Sequence, residues 1–234
     1  MTEVYAGASG YSFKEWLGQF YPQRIKPDAM LEWYAQRLPT VEINNTFYQM
    51  PKTTVLEKWS QATPAAFRFA IKASRRITHD ARLKAEKAAD SVAFLYRTLA
   101  ALGSRRGPVL FQLGPLQKKD SIRLREFLQL LPQGHMAAFE FRNASWFDDE
   151  VYALLREANA ALVLSEREDN APPPLVETAR WGYVRLRLEV YSEEDLKRWA
   201  ERITASGWSE AFVYFMHEPT APGHAQSLQR FAAG

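Results

Sequence analysis

Glu42 and Glu140, the cations Lys72, Arg142, Arg185 and Arg187, and the amides Asn44 and Gln112 all stand in or at the ends of short apolar runs. The runs read Thr40-Val-Glu-Ile-Asn-Asn, Phe69-Ala-Ile-Lys72, Leu110-Phe-Gln-Leu, Phe139-Glu-Phe-Arg142 and Tyr183-Val-Arg-Leu-Arg187. In a strand, side chains two apart share a face, so the polar members point one way and the apolar members the other. If these strands are parallel and their ends converge, four basic and two acidic groups meet at one mouth.

Glu42 and Glu140 are candidates for a catalytic acid and base, because opposed carboxylates take different pKa values when one is desolvated and the other lies near arginine. The alternative is a buried ion-pair network with Arg142, Arg185 or Lys72, which also shifts pKa values. Arg142, Arg185 and Arg187 with Lys72 suit an anion clamp, since guanidinium groups meet carboxylate or phosphate oxygens through paired donors; the competing use is neutralisation of the two glutamates. Lys72 beside other cations could instead form a Schiff base through a depressed pKa. His79 is placed on the loop after the third strand, where it could shuttle a proton near neutral pH or bond backbone. His217, with His224, could also reach the mouth, whereas His135 falls in a turn. No HExxH or similar spacing occurs, and no metal site is expected.

Tyr48 and Trp146 each follow a polar strand end and could stack on a base or sugar. Tyr11, Trp16, Phe20, Tyr21 and Phe47 are expected mainly to pack a lid onto the rim. The run Arg75, Arg76, Arg82, Lys84 could track phosphates, but such a run is ordinarily a solvated face. There is no Walker pattern and no GxGxxG, so Gly7–Gly10 and Gly114-Pro115 read as turns and no tightly bound cofactor is expected.

The 234 residues, 47% of them hydrophobic, suffice for one full-sized core, and a single domain over 1–234 is expected. No apolar run approaches the roughly 20 residues of a membrane span, and the first ten lack a signal-peptide layout, so the expected location is cytoplasmic. With no cysteine the chain has no disulfide, thiolate nucleophile or Cys-ligated metal. Thirty basic against 27 acidic residues is a weak excess that permits nucleic acid without favouring it.

Strand-type runs recur at Val4–Ser9, Thr40–Asn44, Phe67–Lys72, Val109–Leu113, Ala137–Arg142, Ala161–Leu164, Gly182–Leu186 and Ala211–Met216. Helical spacing separates them at Ala29–Leu38, Thr54–Ala62, Leu83–Ala101, Ser121–Leu131, Asp148–Asn159 and Ser192–Ala205. The last helix opens on Ser192-Glu-Glu-Asp195 and is expected to stop at Gly207. Trp33, Phe94, Leu99, Phe127 and Leu155 follow core spacing. Eight alternating units favour an α/β, TIM-like (β/α)8 barrel of parallel strands over an open sheet. The extra segment Tyr11–Pro27 is placed over the mouth, and Asn170–Pro174, with three successive prolines, predicts a degraded sixth unit.

Ser9-Gly-Tyr-Ser, Trp16, Phe20-Tyr-Pro22, Val41-Glu-Ile-Asn-Asn-Thr-Phe-Tyr48, Lys72, Ile77-Thr-His79, Phe111-Gln-Leu, Glu140-Phe-Arg142, Ser145-Trp146 and Tyr183-Val-Arg-Leu186 occur in a familiar order. In them the chain resembles the domain of unknown function 72 family, the YecE-like proteins, along nearly its whole length. The resemblance implies a TIM-like barrel with its pocket at the strand C-terminal ends, and no particular reaction. Two positions depart from the family's pattern: Arg187-Leu188 stands where His-Gly is usual, and Met216-His217-Glu218 where paired asparagines are usual. The functional expectation is a metal-independent hydrolase or lyase acting on a small anionic molecule. The alternatives are a nucleic-acid module or a non-catalytic ligand-binding barrel.

Overall fold

The computed structural model describes residues 2–166, 175–217 and 219–234. Among these residues nine strands, β1 (Glu3–Ser9), β2 (Thr40–Ile43), β3 (Arg68–Lys72), β4 (Arg106–Gln112), β5 (Ala137–Glu140), β6 (Ala161–Leu162), β7 (Leu164–Ser165), β8 (Trp181–Leu186) and β9 (Glu210–Phe215), pair in the order β6-β5-β4-β3-β2-β1-β9-β8-β7. All these pairings are parallel. β6 and β7 are one stretch of chain interrupted at Val163, whose N–H donates to the Phe139 carbonyl at 2.9 Å. The two edges of the sheet are therefore successive residues, and the sheet curls into a nearly closed barrel.

Among the described residues seven α-helices cover the outside: α1 (Pro27–Ala35), α2 (Thr53–Gln61), α3 (Ala85–Leu99), α4 (Ser121–Gln129), α5 (Asp149–Glu157), α6 (Glu193–Thr204) and α7 (Ala221–Ala232). Period-two alternation divides the apolar side chains into two sets. Val41, Ile43, Phe69, Ile71, Phe111, Phe139, Val184 and Val213 pack with the helices, whereas Tyr5, Ala70, Leu110, Ala138, Val163, Tyr183, Phe212 and Tyr214 form a second cluster. The second set has the parity of Glu42, Gln112, Glu140 and Arg185, which places it inside the ring beneath the polar strand ends.

All eight expected strands and six expected helices form, with ends differing by a few residues. α6 carries the predicted capping box: the Ser192 hydroxyl accepts from the Asp195 N–H at 3.1 Å, and the Asp195 carboxylate accepts from the Ser192 N–H at 2.9 Å. It ends at Thr204, short of Gly207, whose N–H donates instead to Glu177 at 3.0 Å. The unanticipated α7 begins with Ala-Pro-Gly, residues that read as a turn yet fit a first turn, where proline loses no bond. Its Gln229 accepts from the Ala6 N–H at 3.0 Å and donates to the Val4 carbonyl at 2.7 Å, completing β1 below the point where β2 joins it at Gly7. Phe94 is 49% exposed rather than core, because it lies on the outward side of α3. The predicted degraded unit Asn170–Pro174 lies outside the described residues, as does Glu218; the described remainder of that connection, 175–180, holds no helix. Among the described residues no helix is long and apolar enough to cross a membrane.

Candidate functional site

At the C-terminal ends of the strands, four ionic side chains from three strands and one strand end join into one network. Arg185 on β8 spans the ring: Nη2 donates to Glu42 Oε1 at 2.9 Å and Nη1 to Glu140 Oε2 at 2.5 Å. All three residues are at most 1% exposed. Glu42, on β2, also accepts from Ser9 at 2.8 Å, Asn44 at 3.0 Å and Tyr183 at 2.6 Å. Glu140, on β5, accepts from Gln112 at 2.8 Å and from Arg187 at 3.2 Å, and Arg187 reaches Ser165 at 3.0 Å. Buried charge is tolerated only when paired in this way; Arg185 Nε has no hydrogen-bond partner among the described residues.

The pKa shifts follow from these bonds. Burial pushes Glu42 up, but the charge of Arg185 and the bonds from Tyr183, Arg185 and Ser9 outweigh it and hold the carboxyl below its usual range. Glu140 is opposed by burial in the same way and is brought down to about 2 by Arg185, Arg187 and Gln112. Both shifts run downward. Of the ion-pair partners read from the sequence, Arg185 pairs and, among the described residues, Arg142 and Lys72 do not, Arg187 joining instead; the arrangement does not separate the two carboxyls into an acid and a base.

Lys72, at the end of β3, is placed differently. Its ammonium lies 4.7 Å from the Phe47 ring centroid and has no hydrogen-bond or ion-pair partner among the described residues. Burial first, then the charge of Arg185, lowers its pKa to about 8, with Arg142 adding to the effect and the two glutamates opposing it. Arg142 is exposed and likewise has no ion-pair partner among the described residues. His79 meets the Phe47 ring edge-on at 5.0 Å, and its Nδ1 lies 2.9 Å from the Thr78 hydroxyl. Burial and the nearby Lys72 and Arg75 charges push its pKa down. Lys72, Arg142, Arg187 and His79 thus gather above the buried network, close enough to perturb one another electrostatically.

Two predicted ligand contacts lie apart from the ion-pair network. Trp146 is fully buried, stacked on Phe141 at 4.5 Å with 3° between planes, and its indole donates to the Gln117 carbonyl at 2.7 Å; it is packing beneath the rim. Tyr48 is 78% exposed and borders a surface hollow with Arg76 and Phe94, outside the ion-pair network. His217 is half-buried beyond β9, and its Nδ1 finds no hydrogen-bond partner among the described residues. The aromatic segment after β1 behaves mainly as packing, with Trp16 and Phe20 against Tyr34 of α1 at 6.2 and 5.8 Å. Only its first residues, Tyr11 to Phe13, border a cavity of about 550 Å³ that opens next to Asn44. Arg75 is taken up by Asp80 at 3.2 Å on the surface. Among the described residues no three His, Asp or Glu side chains assemble as a metal-ligand set.

Three site residues were not singled out from the sequence. Tyr183 carried a signal, sharing strand parity with Arg185 and Arg187. Ser9, at the end of β1 beside Glu42 in the sheet register, carried its signal in position alone. Ser165 had none, since a lone serine after an apolar run is commonplace.

The chain has relatives among known proteins. The profile described as "Protein of unknown function DUF72" matches residues 5–233. UPF0759 protein YunF of Bacillus subtilis (strain 168) is 29% identical over 157 residues, covering 64% of this chain and 54% of the relative. UPF0759 protein YecE of Escherichia coli (strain K12) is 30% identical over 148 residues, covering 62% and 50%. The chain thus spans about half the length of the curated relatives it matches. The crystal structure of a DUF72 family protein from Thermotoga maritima superposes with a TM-score of 0.86 at 26% identity, covering 99% of this chain and 100% of that one. One from Enterococcus faecalis shares the fold at a TM-score of 0.83 and 18% identity, covering 99% of this chain and 96% of that one.

Proposed function

The chain belongs to the DUF72 family, and from that premise we propose that its barrel mouth binds the anionic group of a small phosphorylated or carboxylated metabolite, with Lys72 as the proton-exchanging group. One observation carries the proposal: Glu42 and Glu140 are matched by Arg185 and Arg187, leaving Lys72 and Arg142 without acceptors among the described residues. Two negative and two positive charges cancel within the network, so the remaining two cations make the mouth attractive to an anion. Arg142 supplies a planar donor fork and Lys72 a movable point charge.

Lys72 also suits proton transfer. A general acid or base works best with a pKa near the working pH, and with a pKa of about 8 roughly a tenth of Lys72 is neutral at pH 7. Glu42 and Glu140, held ionised, serve as fixed counter-charges that orient Arg185 and tune Lys72. Arg187, Gln112 and Asn44 keep those carboxylates in place, and His79 is a neutral neighbour able to relay a proton along the rim.

Calorimetric titration with inorganic phosphate at low and high ionic strength tests the binding step. Wild-type protein should bind with salt-sensitive affinity, and Lys72→Met and Arg142→Ala should each weaken binding about tenfold, the scale of one charge-assisted contact. Equal affinity in wild type and both variants would remove the proposal.

A further inference from the structure

We infer that the cavity beside the mouth holds the uncharged body of the same ligand and that this body is a sugar ring, making the ligand a phosphorylated or carboxylated carbohydrate. The inference rests on the anion assignment above and adds the chemistry of the rest of the molecule.

The cavity, about 550 Å³, is of ligand size and is bordered by the ends of β1 and β2 and the segments that follow them. None of its lining residues carries a charge. Its polar groups are short hydroxyls and amides, from Ser9, Ser12, Asn44 and Asn45, and its broad surfaces are the rings of Tyr11, Phe13 and Trp59. That mixture matches a sugar, whose ring presents C–H groups to aromatic surfaces while its hydroxyls need closely spaced donors and acceptors. An apolar ligand would leave Asn44 Oδ1 unmet, a buried acceptor with no donor among the described residues.

A flat nucleobase is less well served. Trp59 already stacks on Phe69 at 5.7 Å with 19° between planes, and Tyr11 stands nearly perpendicular to Trp59, at 87° and 6.4 Å. The Tyr11 and Trp59 rings therefore do not form a parallel pair between which a base would slide.

The cavity also shares walls with the charged mouth. Asn44 borders the cavity and donates to Glu42 at 3.0 Å, one bond from Arg185. Thr46 borders it too, and its hydroxyl donates to the Lys72 carbonyl at 2.7 Å. A ring in the cavity would therefore lie beside the end of β3, where Lys72 stands.

The test compares affinities, by calorimetry on the full chain, for inorganic phosphate, glycerol 3-phosphate, ribose 5-phosphate and glucose 6-phosphate. At least one sugar phosphate should bind ten-fold or more tighter than inorganic phosphate. Ser12→Trp, which fills the cavity from an exposed position, should bring the ratio near one; Trp59→Leu reads the same ratio should that variant misfold. If phosphate binds and neither sugar phosphate exceeds it, the sugar inference is overturned and the anion assignment stands. If phosphate itself does not bind, both fall.

Discussion

Arg185 and Glu42, 143 positions apart in the chain, meet at 2.9 Å in the interior, with neither side chain more than 1% exposed. Arg185 makes a second such contact to Glu140, so one guanidinium spans two strands on opposite sides of its own. Removing it would strand two carboxylates in a desolvated site. Arg185→Met is expected to lose about 3–5 kcal/mol, the usual cost of breaking a buried ion pair from one side. Arg185→Lys should recover only part of this, because a single ammonium lacks the fork that reaches both partners. Urea unfolding at neutral pH measures both.

Glu140 sets the acid limit of stability. Its carboxyl is held down to about 2 against an ordinary 4.5, so its contribution is complete above about pH 4.5 and is lost as the pH falls towards 2. Glu42 is depressed in the same direction. Glu140→Gln should therefore be less stable at neutral pH and show a flatter fall between pH 4.5 and 2 than wild type. Unfolding midpoints across that range would show it.

Lys72 has the opposite sign. Its folded-state pKa lies near 8 rather than 10.5, so folding disfavours its charged form; that cost is fully present below about pH 8 and disappears as the pH rises to about 10.5. Lys72→Met should be more stable than wild type at pH 7, by on the order of 1–3 kcal/mol, while binding phosphate more weakly. A gain in stability coupled to a loss of binding separates a functional lysine from a structural one.

Arg187 gives Glu140 its third described donor. Arg187→His should leave the fold intact, remove one cation from the mouth at pH 7 and lower phosphate affinity by about tenfold. It should also let the Glu140 pKa rise from its depressed value. Calorimetry and a carboxylate NMR titration measure the two effects.

The site was legible to the extent that strand parity encodes it. Glu42, Gln112, Glu140 and Arg185 each break an apolar run at an inward position, and the fold brings all four together. The choice between acid and base or ion pair was not legible, because it depends on which guanidinium nitrogen reaches which carboxylate across the ring. Tyr48 and Trp146 show a second limit. Both follow a polar strand end, yet Trp146 turns down onto Phe141 and Tyr48 turns out to solvent, since loop direction has no two-residue period to announce it. α7 escaped because proline and glycine mark a turn and a helix start alike.

A crystal of the wild-type protein equilibrated with selenate, read by anomalous scattering, decides whether Lys72 and Arg142 together hold an anion. A selenium peak is expected within hydrogen-bonding reach of Lys72 Nζ and the Arg142 guanidinium, with Arg185 still joined to Glu42 and Glu140. A mouth without selenate, or selenate on Arg185 in place of either glutamate, would contradict it.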